Sequence, residues 1–277
     1  MAHRLIDQKP NDLLDEFLKN YMLTQNKSYD LDDLRTLVKN YFGYHNGKTQ
    51  YEQQLTRILQ LEQRWYDSNC TDFTVYDDDY YFIDIWLCFV NFSRKYLKLF
   101  DKPNTIGSYK NTSLFEISRD VRTILDLGCG VGYSTASLKQ IYPASRVTGT
   151  NLKATKQWKF CTLMSQKYNF QLKSDVSELQ EHQDMIFASE YFEHIKNPIE
   201  HLDDVLRYKP KILVLANAFN TVALGHFTKY LHNNEVIDQK HISKLFNKHL
   251  KSKGYFKLKT KYWNNRPNVW LKNKEFE

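Results

Sequence analysis

Hydrophobic positions recur with two different spacings along this chain, and the change falls near residue 105. In the first hundred residues leucines and aromatic residues recur every three or four positions, as in Leu13, Phe17 and Tyr21. This is the spacing of an amphipathic helix. The aromatic-rich apolar segment from Tyr80 to Phe100 predicts a further, largely buried helix. We therefore expect an α-helical accessory region over residues 1–104.

From Thr123 onward, short apolar runs alternate with helical stretches, a pattern typical of βαβ units around a parallel sheet. A helix expected from Ile242 to Lys253 precedes two extended runs, Tyr255–Tyr262 and Pro267–Asn273, which predict a hairpin. The sequence thus predicts an α/β domain over residues 105–277, with a mostly parallel seven-stranded sheet closed by a C-terminal β-hairpin. The parallel strands are expected at Thr123–Leu127, Arg146–Thr150, Phe170–Lys173, Asp184–Ser189 and Lys211–Ala216.

Three glycines follow the first expected strand. The string Ile124-Leu125-Asp126-Leu127-Gly128-Cys129-Gly130-Val131-Gly132 joins that strand to a helix. Glycines allow a tight turn and close backbone approach to a ligand, and a helix N-terminus offers free N–H groups. The string resembles motif I of class I S-adenosylmethionine (SAM)-dependent methyltransferases. This resemblance implies a Rossmann-like fold, SAM as the cofactor, and a cofactor site that includes Asp126, Gly128, Gly130 and Gly132.

The ends of the next two strands extend the resemblance. The family usually has an acid that binds the ribose hydroxyls after the second strand, where this chain has Asn151. An amide still forms a hydrogen bond with a hydroxyl, though without charge assistance. After the third strand, Asp175 and Val176 resemble the residues that contact adenine, although Asp175 also fits a helix N-cap. We therefore expect Asn151, Asp175 and Val176 to bind SAM.

The segment after the fourth strand, Glu190-Tyr191-Phe192-Glu193-His194, resembles the E-x-x-E-H segment of small-molecule methyltransferases. Methyl transfer from a sulfonium needs an acceptor held in line and a group that removes its proton. Glu190, Glu193, His194 and His226 are therefore the candidate catalytic residues, and Glu190 is also expected to contact SAM. The segment resembles the metal site of small-RNA 2′-O-methyltransferases as well, with His226 or His241 as the completing ligand. We expect no metal, and the metal site remains the alternative.

Positive charge is concentrated at the end of the chain. The net charge is +7, and the stretch from Lys240 to Lys261 holds eight lysines and no acid. At helical spacing, Lys240, Lys244, Lys248 and Lys251 form one stripe, and the lysines of the following strand share a face. A field of one sign attracts polyanions. The basic face Lys240–Lys261, with the turn Trp263–Arg266, is therefore predicted to bind DNA or RNA. The alternative is a solvated surface.

These features predict a SAM-dependent methyltransferase with an O or N acceptor, and the basic region slightly favours nucleic acid. The alternatives are a small-molecule methyltransferase, which the E-x-x-E-H segment favours, and a non-catalytic SAM-binding interaction module. No proline adjoins another proline or precedes a cysteine, so the motifs of the usual exocyclic-amine and cytosine-C5 DNA methyltransferases are missing. The four cysteines form no C-x-x-C pair, and the chain has no signal-peptide pattern or membrane-length apolar run. We therefore expect a cytoplasmic protein.

Overall fold

A computed structural model of the chain describes residues 4–25, 30–45, 52–102, 112–153, 155–180, 182–258, 260 and 267–273. The N-terminal part is helical, as the periodicity predicts. Its helices are α1 (Pro10–Thr24), α2 (Leu31–His45), α3 (Glu52–Asp67) and α4 (Asp79–Cys88), and α4 continues through a π-helical turn (Phe89–Ser93) into α5 (Arg94–Lys98).

The remaining elements are strands interspersed with helices. The helices are α6 (Leu114–Ile117), α7 (Tyr133–Ile141), α8 (Lys156–Tyr168), α9 (Pro198–Leu206) and α10 (Gln239–Ser252). The strands are β1 (Thr123–Leu127), β2 (Arg146–Thr150), β3 (Gln171–Lys173), β4 (Met185–Ser189), β5 (Ile212–Ala216), β6 (Lys229–His232), β7 (Glu235–Asp238), β8 (Tyr255–Lys257) and β9 (Asn268–Lys272).

Seven of these strands form one sheet in the order β3-β2-β1-β4-β5-β9-β8. Strands β1 to β5 are parallel, whereas β9 runs antiparallel to both β5 and β8. This arrangement confirms the predicted mostly parallel, seven-stranded, Rossmann-like sheet with a terminal hairpin. The strand order reverses between β1 and β4, and α/β sheets bind ligands at the carboxyl ends of strands beside such a reversal.

Two features between β5 and β8 differ from the prediction. Strands β6 and β7 form a separate hairpin whose turn residues, Asn233 and Asn234, have φ angles of 51° and 64°. Asparagine tolerates this left-handed conformation, so the turn forms without the glycine that usually marks it in a sequence. Helix α10 begins at Gln239 rather than Ile242, because the Asp238 carboxylate accepts a hydrogen bond from the His241 backbone N–H at 2.8 Å.

The N-terminal helices share a core with the sheet domain. The ring of Phe17 in α1 stacks on Trp86 of α4 at 4.8 Å and lies 5.6 Å from Phe160 of α8. All three side chains are almost completely buried. The expected boundary after residue 104 lies outside the described residues, and the shared core shows that the accessory helices pack directly on the sheet domain.

The basic stripe on α10 forms as predicted. Lys240, Lys244, Lys248 and Lys251 are exposed, while the opposite face buries Ile242, Phe246 and Leu250. Helix α10 packs against β8, where Lys257 is also exposed. Lys259, Lys261 and the turn Trp263–Arg266 lie outside the described residues. In the described part of the chain, no helix has the length and apolar character needed to cross a membrane.

Candidate active site

A cavity of about 910 Å³ lies along the carboxyl ends of the parallel strands. One wall consists of residues that follow β1 to β5. The opposite wall consists of residues from the N-terminal helical region. The predicted residues that line this cavity are Asp126, Gly128, Gly130, Asn151, Asp175, Val176, Glu190, His194 and His226, whereas Gly132 and Glu193 are absent from its walls.

The glycine-rich turn requires glycine for reasons of backbone conformation and space. Gly128, Gly130 and Gly132 have φ angles of 62°, 54° and 84°, which L side chains rarely adopt. A Cβ atom on Gly128 would lie 2.2 Å from the Tyr191 ring, and one on Gly130 would lie 2.6 Å from Ile85 Cγ2. The backbone of Gly128 and Gly130 therefore lies at the cavity wall, whereas Gly132 is the N-cap residue of α7.

Asp126 joins the end of β1 to the start of α7. Its carboxylate accepts hydrogen bonds from the Ser134 and Thr135 hydroxyls, both at 2.6 Å. Burial raises the pKa of Asp126 to about 7. The residue lines the cavity but is itself 1% exposed, so it also fixes the geometry of the glycine-rich turn.

Asn151 forms a bridge from the end of β2 to the same turn. Its Nδ2 donates to the Gly130 carbonyl oxygen at 2.6 Å, and its Oδ1 accepts from the Leu152 backbone N–H at 2.8 Å. The Asn151 side chain lines the cavity. Its contact with the ribose of SAM stays a prediction. The bridge gives Asn151 a role that an acid at this position does not fill, because a carboxylate has no N–H to donate to Gly130.

Two substitutions at Asn151 separate these roles. Asn151→Ala removes the bridge, and we expect SAM affinity to fall about fivefold, equivalent to about 1 kcal/mol for one neutral hydrogen bond. Asn151→Asp would restore the acid usual in the family but place a carboxylate beside the Gly130 carbonyl. If the bridge dominates, calorimetric titration with SAM shows Asn151→Asp to be weaker than Asn151→Ala. Tighter binding by Asn151→Asp than by the wild type would assign the ribose role instead.

Asp175 forms the helix N-cap considered for it, and its contact with adenine stays a prediction. Its carboxylate accepts a hydrogen bond from the Ser177 backbone N–H at 2.8 Å and so caps the short helix Val176–Glu178. Hydrogen bonds from Ser177 lower the pKa of Asp175, which keeps the group ionised. Asp175 and Val176 both line the cavity. Capping thus fixes the Asp175 carboxylate at the cavity wall.

Glu190 and Glu193 form a pair of carboxyl groups with unequal access to the cavity. Glu190 lines the cavity and has a φ of 53°, a strained value for this residue type that often accompanies function. Glu193 is fully buried, and its Oε1 accepts from the Ala218 backbone N–H at 2.8 Å. Burial and the adjacent Glu190 raise the pKa of Glu193 well above its usual range. This favours a protonated Glu193 behind Glu190.

His194 and His226 meet at the cavity wall, where their ring centroids are 4.7 Å apart and nearly perpendicular. Burial lowers the pKa of His194 to about 3, so this imidazole is neutral at physiological pH. His226 Nδ1 lies 2.8 Å from the Thr221 carbonyl oxygen. A carbonyl only accepts hydrogen bonds, so Nδ1 carries the proton in the neutral ring and Nε2 is the basic nitrogen.

The alternative metal site lacks the necessary cluster. His241 is exposed and bonded to Asp238, and it is not among the cavity-lining residues. Within the described ranges, no group of three or more histidine, cysteine, aspartate or glutamate side chains is arranged to hold a metal ion.

Sequence reasoning missed the contribution of the N-terminal region to this site. Asp84 and Asn91 both line the cavity, although they interrupt an otherwise apolar and aromatic segment. Polar residues within a buried apolar helix are costly, and this is the signal that points to a function. The structure adds a second indication: the π-helical turn Phe89–Ser93 contains Asn91, and such turns are often found at functional sites. The other cavity-lining residues of this region include Phe73, Tyr76, Tyr81, Cys88 and Phe92.

A family model described as "Methyltransferase domain" matches residues 96–260. The match covers more than half of the chain, so the protein belongs to this family of methyltransferases, and the resemblance to class I SAM-dependent enzymes is confirmed. The match begins within α5, inside the region expected to be accessory. SAM is the cofactor that this family assignment implies, and the glycine-rich turn beside the cavity fits it.

Three individual proteins similar to this chain share between 20% and 27% of its residues in the aligned regions. The (S)-coclaurine N-methyltransferase of Thalictrum flavum subsp. glaucum is 27% identical in an alignment over 194 residues, and the match covers 60% of this chain and 51% of that protein. The chain thus matches about half the length of this curated relative. Among solved structures, the N-terminal domain of EvdMO1 with bound S-adenosylhomocysteine (SAH) is 20% identical, with 37% of this chain and 45% of that chain covered and a TM-score of 0.33. An O-methyltransferase from a trans-AT PKS multienzyme of Brevibacillus brevis, also with SAH, is 21% identical, with coverages of 35% and 36% and a TM-score of 0.31. At these scores, the fold assignment rests on the strand order of the chain itself.

Proposed function

We propose that this protein transfers the methyl group of SAM to the nitrogen of a small arylalkyl amine. The observation that carries the proposal is the composition of the cavity walls. Beside the glycine-rich turn, they combine several aromatic rings with four carboxylic acids and a single lysine. The rings come from both walls and belong to Phe73, Tyr76, Tyr81, Phe89, Phe92, Tyr133, Tyr191 and Phe227.

The charges around the cavity favour a cationic ligand. The basic side chains among the described lining residues are Lys196, His194, His201 and His226, and burial lowers the pKa values of His194 and His201. Four lining residues are acids, namely Asp84, Asp126, Asp175 and Glu190, and Asp126 is only partly ionised at neutral pH because burial raises its pKa to about 7. Negative charge and aromatic faces attract both the sulfonium of SAM and the ammonium of an amine. The same charge repels the phosphates of a nucleic acid.

The observation that favours nucleic acid as a second candidate acceptor is the exposed lysine stripe on α10. No residue of α10, and none of β8, is among the residues that line the cavity. A nucleic acid bound to the stripe would therefore need a separate path to the methyl group. For this reason we place the small amine first, reversing the preference drawn from charge alone.

The residues of the cavity support a direct displacement. SAM, when bound, supplies an electrophilic methyl carbon on a positively charged sulfur. Glu190 accepts the proton that the ammonium must lose, which frees the nitrogen lone pair. The new N–C bond forms as the C–S bond breaks, and SAH leaves as a neutral thioether. His226 Nε2 is the second group able to take this proton.

Similarity to a known enzyme supports nitrogen as the acceptor atom. The curated relative from Thalictrum is an N-methyltransferase, and its match extends over 60% of this chain. The E-x-x-E-H segment, the feature that favoured a small molecule at the level of sequence, provides Glu190 and His194 at the cavity.

Matched acceptors test the proposal. Purified protein is incubated with SAM and with a series of arylalkyl amines, the corresponding alcohols and phenols, and single- and double-stranded oligonucleotides. We expect SAH formation with amines, and a rate at least about tenfold lower for the matched alcohol, since a hydroxyl provides no ammonium for the acids to bind. SAH formation with oligonucleotides and none with amines would contradict the proposal and favour the second candidate.

A further inference from the structure

The loop between β5 and β6, residues 217–228, carries His226 to the cavity. Its chain is held from within by the His226 N–H, which donates to the Ala223 carbonyl at 3.0 Å, and by the Nδ1 contact to Thr221. At its far end the Phe227 N–H donates to the carbonyl of Glu193 at 3.0 Å. The position of His226 Nε2 in the cavity therefore depends on the conformation of this loop.

The N-terminal region holds the same loop from outside. The indole N–H of Trp65, in α3, donates to the His226 carbonyl oxygen at 3.0 Å. The neighbouring Tyr66 hydroxyl donates to the Ala223 carbonyl at 3.3 Å. These two bonds join one helix of the accessory region to backbone oxygens on either side of Gly225.

Trp65 is itself rigidly placed. It is completely buried, and its ring packs edge-on against Phe227 at 5.6 Å and against Tyr76 at 6.2 Å. The segment that carries Tyr76 is fixed in turn to α8, because Gln157 Nε2 donates to the Tyr76 carbonyl at 3.2 Å. A buried indole N–H with a single carbonyl partner is costly to leave unpaired, so the bond to His226 persists in the folded protein.

We propose that Trp65 is a positioning residue for methyl transfer, which fixes the backbone of His226 so that Nε2 of its ring is held at the acceptor side of the cavity. The accessory helices thereby contribute to catalysis from outside the cavity, since Trp65 does not line it. This inference rests on the proposed methyl transfer and adds to it a role for His226 that depends on Trp65.

The test is a double-mutant cycle with Trp65→Phe and His226→Gln. Trp65→Phe keeps a buried ring and removes the indole N–H. With His226 present, we expect kcat to fall about tenfold while the Kd for SAM stays within about twofold. In the His226→Gln background, Trp65→Phe should change kcat by less than about twofold, because the imidazole that Trp65 positions is no longer present. An equal loss in both backgrounds would show a merely structural role and overturn the inference.

The matched control is Trp270→Phe, which makes the same change in another buried indole. Trp270 lies in β9 and is not among the lining residues of the cavity. Amide hydrogen exchange supplies a readout that needs no activity: exchange in residues 217–228 should accelerate in Trp65→Phe and stay unchanged in Trp270→Phe. Unaltered exchange in both variants would also overturn the inference.

A second variant keeps the inference testable if Trp65→Phe fails to fold. Tyr66 is partly exposed, so Tyr66→Phe removes the other hydrogen bond to the loop at little cost to stability. It should show the same dependence on His226 with a smaller fall in kcat. A wild-type protein that methylates no amine would contradict the proposed function, whereas the exchange result would still decide whether Trp65 holds the loop.

Discussion

Replacing Gly130 with valine is expected to abolish measurable SAM binding, with a loss of affinity greater than about 100-fold, or about 2.7 kcal/mol. Two physical causes add together. Gly130 has a φ of 54°, where a residue with a Cβ costs about 1–2 kcal/mol and a β-branched residue is a clear outlier. Its new Cβ would also lie 2.6 Å from Ile85 Cγ2, so either the turn or α4 must move. Calorimetric titration with SAM measures the loss.

A control separates the loss of binding from general strain. Gly254 has a φ of 81° at the end of α10 and is not among the cavity-lining residues. Gly254→Val should therefore lower the melting temperature and leave SAM affinity unchanged. Folded Gly130→Val with normal SAM affinity would refute the assignment of this turn to the cofactor.

Glu190→Gln should produce the largest loss of turnover. The amide keeps the size of the side chain and removes its ability to accept a proton, and loss of a general base typically costs about 10²–10⁴-fold in rate. The Kd for SAM should stay within about threefold, because the proton acceptor acts mainly in the transition state. Single-turnover rates with an amine acceptor, measured beside SAM titrations, give both quantities. Normal turnover in Glu190→Gln would assign proton removal to another group, with His226 the first to test.

Glu193→Gln is the matched comparison for Glu190→Gln. A glutamine mimics the protonated acid, accepts from the Ala218 N–H and donates towards Glu190, so turnover should remain near that of the wild type. A raised pKa in the folded state means that the wild-type protein loses stability as pH rises from about 4.5 through that pKa, because the folded state binds the extra proton. The free energy of unfolding of Glu193→Gln, relative to the wild type, should therefore increase with pH. A decrease with pH would show that Glu193 is ionised in the folded state.

The strand pattern and the cofactor motif could be predicted from sequence because both depend on local signals. The apolar runs predict β1 and β2 with their correct bounds, and the glycine spacing predicts the turn between β1 and α7 that lines the cavity. The hairpin β6–β7 was missed because Asn233 and Asn234 form its turn without glycine. Pairing across such a turn depends on tertiary contacts as much as on composition.

The acceptor side of the site could not be predicted in the same way. It brings the Tyr76 hydroxyl to 3.4 Å from His194 Nδ1, although these residues lie 118 positions apart in the chain. No periodicity reports such a contact. Glu193 illustrates the converse: its position in the E-x-x-E-H segment suggested direct catalysis, but the short helix Phe192–His194 turns its side chain into the core.

The measurement that tests the central claim most directly is the fate of an isotopically labelled methyl group. Purified protein is incubated with methyl-labelled SAM and a cell extract, and the label is followed by mass spectrometry in the small-molecule, protein and nucleic-acid fractions. Our account predicts that label appears on the nitrogen of a small amine, in a quantity equal to the SAH formed, and that Glu190→Gln abolishes it. Label confined to nucleic acid, or SAM binding with no SAH formed, would contradict the account.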